Sequence, residues 1–439
     1  MPAVTTSNAH QPLEALPPQR LHGWLHPAIL AAAALSVASG YAQFGVFTAL
    51  ADVGMAFGHA ETAGVAGVGL SGTALGVGLG LVRLAALGGL PLASMADHRG
   101  RRRILLLCCG AGLAITGMAA LSPAYWVFIA LFALDRPLLS ATNAIVGVIA
   151  AEETRAKDRA KAIGLITGAY GVGAGLPALV RAVDARFLDG FLGFRGLFAL
   201  SVVPLLLLPL LARHIEEPER FVRALRSGTA NRLALAAVEP ALRGRLAMIC
   251  GLAFAATFAA TPVNGYVFAY AEGVLDVSPT FTFGIVLAAG VVGLLGLIAG
   301  RWAADVIGRR MTCATMHVVA GVAGYLAYRG SLTIAVAGYL LGIVAGSAFA
   351  PAIGALSAEI FPTAERATAA GWLTAASAMG AVGGLVAFGV LVDSLGGFSA
   401  AALVVSIPVV ITSPLYLLLP ETRGMELEES APDTPVENM

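Results

Sequence analysis

The chain has 439 residues, of which 58% are hydrophobic and only 12% are charged, and its formal net charge is +1. A soluble globular domain carries about 25% charged residues, so this composition excludes an ordinary soluble protein. The mean hydropathy of +0.83 indicates a chain that lies in a bilayer, and the near-neutral charge does not indicate a nucleic-acid partner. Four cysteines lie in or beside apolar runs without metal-ligand spacing, so we expect buried thiols and no metal site: Cys108, Cys109, Cys250 and Cys313.

The predicted elements are long apolar helices. Residues 1–26 are polar and rich in proline, whereas a secretory signal would place an apolar run near the start, so we expect an N-terminal tail without a cleaved signal. A spanning helix needs roughly 20 mostly apolar residues, and the runs here are too long for barrel strands. The sequence predicts twelve spans, called span 1 to span 12 in chain order: 27–50, 62–95, 104–121, 124–150, 161–182, 195–212, 245–271, 281–303, 311–328, 331–357, 366–391 and 397–419.

The polar segment 213–244 divides the spans into two groups of six. We expect an N-terminal bundle over 27–212, a cytoplasmic linker over 213–244, a C-terminal bundle over 245–419 and a tail over 420–439. Most lysines and arginines fall in the segments that lie on the same side as the termini. The positive-inside rule therefore predicts that both termini are cytoplasmic and that the protein is a multi-pass protein of the cell membrane.

Two charged phrases occur twice. "ADHRGRRRILL" begins at Ala96 and "ADVIGRRMTCA" at Ala304, so that the aspartates, glycines and paired arginines align at an offset of 208. "AEETRAKDRAKAIG" from Ala151 matches "AEIFPTAERATAAG" from Ala358 at an offset of 207, and "EPERF" after span 6 is a weaker echo of "PETRG" after span 12. The chain is thus a tandem duplication of a six-span unit, which is the construction of secondary transporters.

The repeated D-x-x-G-R-R loop resembles the signature of the major facilitator superfamily. The E-x6-R phrases and the closing "PETRG" resemble more narrowly its sugar-porter and metabolite–proton symporter branch. The resemblance covers about 27–424 and implies an all-α membrane protein with twelve transmembrane helices in two pseudo-symmetric six-helix bundles. The chain departs from sugar porters at Ala42, where they have an aspartate, and in span 7, where "TPVNGYVFAYAE" lacks their paired glutamines.

The resemblance implies a role for the repeated charges. They would form a network that braces neighbouring helices while the carrier is open outward, and that breaks when one half rocks against the other. The alternative is that the arginines only fix the topology. The predicted gating residues are Asp97, Arg101, Glu152, Arg159, Asp305, Arg309, Glu359 and Arg366.

Small residues recur on one face of four spans, and such faces let helices approach closely in lipid. In the fold that the resemblance implies, these four spans line the seam between the halves. The small residues there would either let the helices slide past each other during transport or only let them pack closely. The faces are Gly72, Gly76 and Gly80 in span 2; Gly164, Gly168, Gly171 and Gly175 in span 5; Gly296 and Gly300 in span 8; and Gly371 and Ala375 in span 11.

Three charged residues lie deep inside predicted spans: Arg83, Asp135 and Arg136. The aligned positions of the second half are the uncharged Val291, Gly342 and Ile343. An ionisable group inside the membrane favours a functional role, so we predict that the three couple proton and solute, with Asp135 as the proton carrier. The alternatives are a static ion pair between spans 2 and 4, or snorkelling to the outer surface.

Uncharged polar and aromatic residues supply the predicted solute site. Ordinary hydrogen bonding or packing is the alternative for each of them, and His317 in span 9 is expected to be a packed residue. The candidates are Tyr41, Gln43, Asn143, Tyr170, Asn264, Tyr266, Tyr270 and Trp372.

These features predict a secondary active transporter that moves a small organic solute by alternating access with proton coupling. The three buried charges sum to +1, which favours an organic anion. Drug or metabolite efflux is the alternative within the same fold, and a nutrient sensor that does not transport is another. No nucleophile motif or phosphate-binding loop is present in the cytoplasmic segments, so we expect neither an enzyme nor a cofactor. We expect the protein to act as a monomer.

Overall fold

The computed structural model describes residues 22–58, 69–217 and 239–425, and within these ranges the chain contains helices and no β-strand. The spans keep their numbers. In the first half they are Pro27–Thr48 with Leu50–Phe57, Gly72–Ala85 with Gly89–Arg99, Arg101–Ala119, Tyr125–Glu153, Ala156–Phe187, and Gly193–Ala199 with Val202–Ala212. In the second half they are Arg243–Gly273, Pro279–Val306, Arg309–Leu326, Leu332–Glu359, Thr363–Ser394 and Phe398–Thr412, the last extended by the 3-10 turn Ser413–Leu418.

Eleven of the helical stretches in the described ranges are long and apolar enough to cross a membrane. Span 9, Arg309–Leu326, is the predicted span outside that set. Its 18 residues include Arg309, Arg310 and His317, which lower its hydropathy. It nevertheless packs along spans 10 and 12 in the same way that span 3 packs along spans 4 and 6.

Spans 1 and 5 approach each other closely because glycines face each other across the contact. A Cβ atom on Gly40 would lie 2.3 Å from the carbonyl oxygen of Tyr170. One on Gly173 would lie 2.1 Å from the carbonyl oxygen of Val37. These distances leave no room for a methyl group, so both positions must be glycine if the two backbones are to pack together.

The two halves are joined at the end of the bundle opposite the described termini, which we call the distal end. There the glycine face of span 2 packs against span 11: Cβ atoms on Gly72 and Gly76 would lie 2.6 and 2.5 Å from the carbonyl oxygens of Gly389 and Leu385. The other end of the bundle carries Pro27, and we call it the terminal end.

The halves separate toward the terminal end. In span 5, Gly175 lies near Val286 of span 8, since a Cβ atom there would be 3.6 Å from its Cγ1 atom. Gly164, Gly168 and Gly171, nearer the terminal end, would meet nothing within 4 Å. The seam is therefore closed distally and open at the terminal end.

The expectation that Gly296 and Gly300 of span 8 face the seam is wrong. Cβ atoms on them would lie 2.7 and 2.2 Å from the carbonyl oxygens of Val344 and Ala348 in span 10. They hold two helices of the second half together, because a small-residue face permits a close neighbour without determining which helix that neighbour is.

Candidate solute cavity and buried charges

A cavity of about 460 Å³ lies between the two halves. Spans 1, 2, 4 and 5 of the first half line it together with spans 7, 8 and 10 of the second. Most of its wall is apolar or aromatic, including Phe44, Phe47, Phe268 and Tyr339. A cavity of this size, with few polar groups in an apolar wall, is typical of a small-molecule site.

Two arginines, Arg83 and Arg136, reach this cavity, and no acidic residue lines it within the described chain. Arg136 is 7% exposed. Its Nη1 atom lies 3.4 Å from the carbonyl oxygen of Gln43, and its Nε atom has no hydrogen-bond partner among the described residues. Part of the donor capacity of this guanidinium is therefore unused, and the cavity presents positive charge to a solute.

Asp135 faces away from the cavity although it is adjacent to Arg136 in the chain. Successive helix positions point about 100° apart, and the Asp135 carboxylate, 1% exposed, turns toward span 3. Thr116 Oγ1 lies 2.7 Å from Asp135 Oδ2 and 3.0 Å from the carbonyl oxygen of Gly112. Among the described residues, Thr116 is the only side chain hydrogen-bonded to this carboxylate, which forms no ion pair with either arginine.

A short polar chain runs beside the arginines. Tyr170 Oη lies 3.4 Å from Gln43 Oε1, and Gln43 Nε2 donates to Ser39 Oγ at 2.8 Å. The backbone carbonyl of Gln43 in turn lies 3.4 Å from Arg136 Nη1. The structure therefore brings two of the predicted solute residues, Gln43 and Tyr170, next to Arg136.

The other predicted solute residues are spread out. Asn264 lines the cavity. Tyr41, Tyr266 and Tyr270 are buried in an apolar cluster, where the Tyr41 hydroxyl donates to the carbonyl of Leu197 at 2.5 Å. Asn143 and the 44% exposed Trp372 are not among the described residues that line the cavity.

The repeated charges form matching ion pairs in the two halves. Arg101 pairs with Glu152, and Arg309 pairs with Glu359, with 2.6 Å between its Nε atom and Glu359 Oε2. Each pair joins the start of one span to the end of the next. The duplicated phrases therefore build the same local structure twice, within each half.

The remaining predicted gating residues have individual surroundings. Asp305 Oδ1 lies 3.7 Å from Arg309 Nη1. Arg366 Nε donates to the carbonyl of Ala358 at 2.8 Å. Arg159 Nε has no hydrogen-bond partner among the described residues. The side chain of Asp97 lies outside what the structure describes.

Two glutamates at the N-terminal ends of spans 3 and 9 were not predicted from the sequence. Glu217 accepts hydrogen bonds from the backbone N–H groups of Arg101 and Arg102. Glu421 accepts from the backbone N–H of Arg309 at 2.9 Å and lies 3.6 Å from the Nε atom of Arg310. Each carboxylate caps the positive N-terminus of a helix. The weak echo between "EPERF" and "PETRG" marked both segments, although Glu217 precedes its proline and Glu421 follows its own.

An ion cluster at the distal end also went unpredicted. Arg181 of span 5 donates to both carboxylate oxygens of Glu272 in span 7, at 2.8 and 2.6 Å. Arg181 also donates to Asp52 at 2.9 Å. Beside this cluster, Asp393 of span 11 accepts from the backbone N–H groups of Gly72 and Thr73, both at 2.8 Å. Both sets of contacts join the first half to the second.

Comparison with known proteins identifies the family. The model of the Major Facilitator Superfamily matches residues 29–310 and 291–436. The chain belongs to this superfamily. The resemblance predicted from the repeated motifs is thereby confirmed, as are the all-α architecture and the twelve-helix, two-bundle arrangement that is the norm of the superfamily. This major facilitator protein is a membrane transporter and not an enzyme.

Individual relatives are distant. A probable 4-methylmuconolactone transporter of Cupriavidus pinatubonensis is 26% identical over 378 residues, covering 82% of this chain and 85% of that protein. A Haemophilus influenzae protein named for metabolite transport is 26% identical over 361 residues, covering 78% and 86%. The inward-open structure of the Escherichia coli xylose transporter XylE is 18% identical with a TM-score of 0.71, covering 92% and 98%. At that identity the likeness to XylE shows the fold.

Proposed function

We propose that this transporter moves a small organic anion with a largely apolar body across the cell membrane, coupled to protons through Asp135. The observation that carries the proposal is the pair of arginines, Arg83 and Arg136, in a cavity whose described lining holds no carboxylate. Uncompensated positive charge away from water is costly. A solute carboxylate would supply the missing partner and could accept two parallel hydrogen bonds from one guanidinium.

The rest of the cavity supports an apolar body for that anion. Phe44 and Phe47 of span 1 line the cavity together with Phe268 of span 7 and Tyr339 of span 10. Aromatic rings bind flat apolar groups through burial and ring packing. A ring-derived metabolite such as the lactone named for the Cupriavidus relative is one member of this class to test.

The proton site is proposed from the contacts of Thr116. A hydroxyl has one proton, so with an ionised Asp135 the Thr116 proton is shared between the carboxylate and the Gly112 carbonyl. With a protonated Asp135 each contact has its own proton, because Asp135 donates to Thr116 while Thr116 donates to Gly112. Burial in a low-dielectric interior also favours the neutral form of a carboxylic acid.

Coupling follows from the adjacency of Asp135 and Arg136. The positive charge of Arg136 stabilises an ionised Asp135. When an anionic solute binds Arg136, it offsets that charge and Asp135 takes up a proton. When the solute leaves, Asp135 releases its proton on the same side. Solute and proton then cross together, because the halves exchange which end is open only when both are bound or when neither is.

The orientation belongs to the same proposal. We place both termini in the cytoplasm and the monomeric protein in the cell membrane, so that the open terminal end faces the cytoplasm. The positive-inside distribution of lysine and arginine supports this placement. The described conformation then corresponds to release or uptake of solute on the cytoplasmic side.

The test is uptake of labelled solutes into proteoliposomes with and without an imposed pH gradient. The panel contains benzoate, 4-methylmuconolactone and, as a neutral comparison, xylose. We expect uptake of at least one anion that rises with the gradient and that falls at least tenfold in Arg136→Gln. Arg186→Gln is the control, since Arg186 is exposed at the distal end of span 5. Transport of xylose in preference to every anion, or anion uptake unchanged in Arg136→Gln, would contradict the proposal.

A further inference from the structure

A second pocket, of about 110 Å³, lies inside the second half beside the solute cavity. Spans 7, 9, 10 and 12 line it, and we call it the side pocket. Ala260, Asn264 and Tyr339 line both the side pocket and the solute cavity. The two spaces therefore adjoin each other at these three residues.

His317 is the notable polar residue of the side pocket. Its side chain is 2% exposed, and its Nε2 atom has no hydrogen-bond partner among the described residues. Its ring packs on Phe349 and Tyr416, at centroid distances of 5.7 and 5.2 Å. Packing therefore fixes the ring while leaving a nitrogen unsatisfied, and buried polar atoms in native proteins normally have a partner.

Two further buried hydroxyls lack partners in the described chain, Ser406 Oγ and Tyr416 Oη, and neither residue is among those that line the side pocket. Ser406 Oγ would lie 3.3 Å from a Cβ atom on Gly324, which lines the side pocket. Within the described lining of the side pocket, His317 Nε2 is an unsatisfied buried polar atom, and it favours a hydrogen-bonding occupant. The volume exceeds that of a single water molecule, roughly 30 Å³.

The duplication explains why the space exists. At the offset of 208, Thr116 of the first half aligns with Gly324, and at the offset of 207 Asp135 aligns with Gly342. Both glycines line the side pocket. The first half therefore fills this position with a hydrogen-bonded threonine and aspartate, and the second half leaves it open.

We propose that the side pocket is a subsite for a neutral, oxygen-bearing group of the solute, a hydroxyl or carbonyl, which hydrogen-bonds to His317 Nε2. The inference rests on the proposed transport of an organic anion, whose carboxylate binds at Arg136. A neutral group is specified because no charged side chain lines the side pocket in the described ranges, and burying an unpaired charge is costly. Water is the other source of such an oxygen, and the test separates the two.

The test measures binding to the purified full-length protein by titration calorimetry. The probes are benzoate with 4-hydroxybenzoate and octanoate with 8-hydroxyoctanoate, so that the hydroxyl lies at two distances from the carboxylate. The quantity of interest is the ratio of the two dissociation constants within a pair. A buried hydrogen bond predicts about a tenfold preference for one hydroxylated member in the unmodified protein. His317→Phe should reduce that ratio to about one, and His317→Gln should restore part of it.

A filling variant tests the space without touching the histidine. A Cβ atom on Gly346, which lines the side pocket, would meet nothing within 4 Å. Gly346→Val should therefore fold normally, weaken binding of the preferred hydroxylated acid and leave its unhydroxylated partner unchanged.

The neutral analogues separate this inference from the proposed function. Benzyl alcohol and 4-hydroxybenzyl alcohol, with octanol and 1,8-octanediol, are titrated alongside the acids. Acids that bind no tighter than alcohols would contradict the anion proposal, while the ratio within each alcohol pair would still test His317. A ratio near one in the unmodified protein for all pairs, a ratio that persists in His317→Phe, or no binding by either set overturns the subsite and leaves water as the occupant.

Discussion

Replacing Glu272 by glutamine is expected to open the distal end of the transporter. Arg181 and Glu272 are 7% and 8% exposed and form a two-bond ion pair across the seam between the halves. Removing one partner of a buried ion pair costs about 3–5 kcal/mol. In Glu272→Gln, Arg181 keeps its contacts to Asp52 and to the Thr48 carbonyl, and glutamine still accepts one hydrogen bond. We therefore expect the distally closed state to lose about 2 kcal/mol of stability relative to the distally open state. This corresponds to roughly a 30-fold shift in their populations toward the open state.

The shift can be measured as a distance between spin labels on opposite halves at the distal end. Phe191 and Leu395 are 86% and 47% exposed and lie just beyond the distal ends of spans 5 and 11. Labels on cysteines introduced there, in a background without the native cysteines, should report a longer distance in Glu272→Gln. Arg186→Gln, at the exposed end of span 5, should leave the distance distribution unchanged.

Two results would refute this reasoning. An unchanged distance distribution in Glu272→Gln would show that the ion pair does not hold the halves together. The second result is a double variant in which the free-energy shifts of Arg181→Gln and Glu272→Gln toward the distally open state simply add. It would show that the two side chains act independently, since residues in direct contact should show a coupling energy.

The remaining predictions concern positions where the structure gives a matched control. Glu217→Gln and Glu421→Gln should each lower the midpoint of thermal unfolding, because each removes a negative charge from a helix N-terminus. The expected loss in the free energy of unfolding is about 1 kcal/mol for each variant. Glu216→Gln is the control and should have no effect, because Glu216 is exposed and adjacent to Glu217. Gly173→Ala should abolish stable expression, because its methyl group would overlap the backbone of span 1, whereas Gly168→Ala should express normally, and equal yields of the two variants would contradict the packing of spans 1 and 5.

The duplication made much of the fold predictable. Two phrases in register, far apart in the chain, indicated the six-span unit, and the arginines and glutamates in them form the same ion pair twice. Depth along a helix is predictable too, because the rise per residue is fixed. Counting residues from the terminal ends of spans 2 and 4 therefore predicts that Arg83, Asp135 and Arg136 lie at similar depths.

The direction in which side chains point could not be predicted in the same way. Asp135 and Arg136 share a level but face different neighbours, span 3 and the cavity, because adjacent helix positions diverge. The distal ion cluster joins Arg181 to Glu272 across two halves with no sequence signal for their pairing. Tyr266 and Tyr270 have the composition of a solute site but lie in the packed aromatic cluster of the second half.

The proposed transport cycle depends above all on Asp135 as the carrier of the proton that drives solute accumulation. The most direct measurement compares Asp135→Asn with the unmodified protein in proteoliposomes, once for accumulation driven by a pH gradient and once for exchange of labelled against unlabelled solute. Asparagine resembles the protonated acid in shape and can still donate a hydrogen bond to Thr116. We predict that gradient-driven accumulation is abolished while exchange continues. Accumulation that still follows the pH gradient in Asp135→Asn would contradict this role.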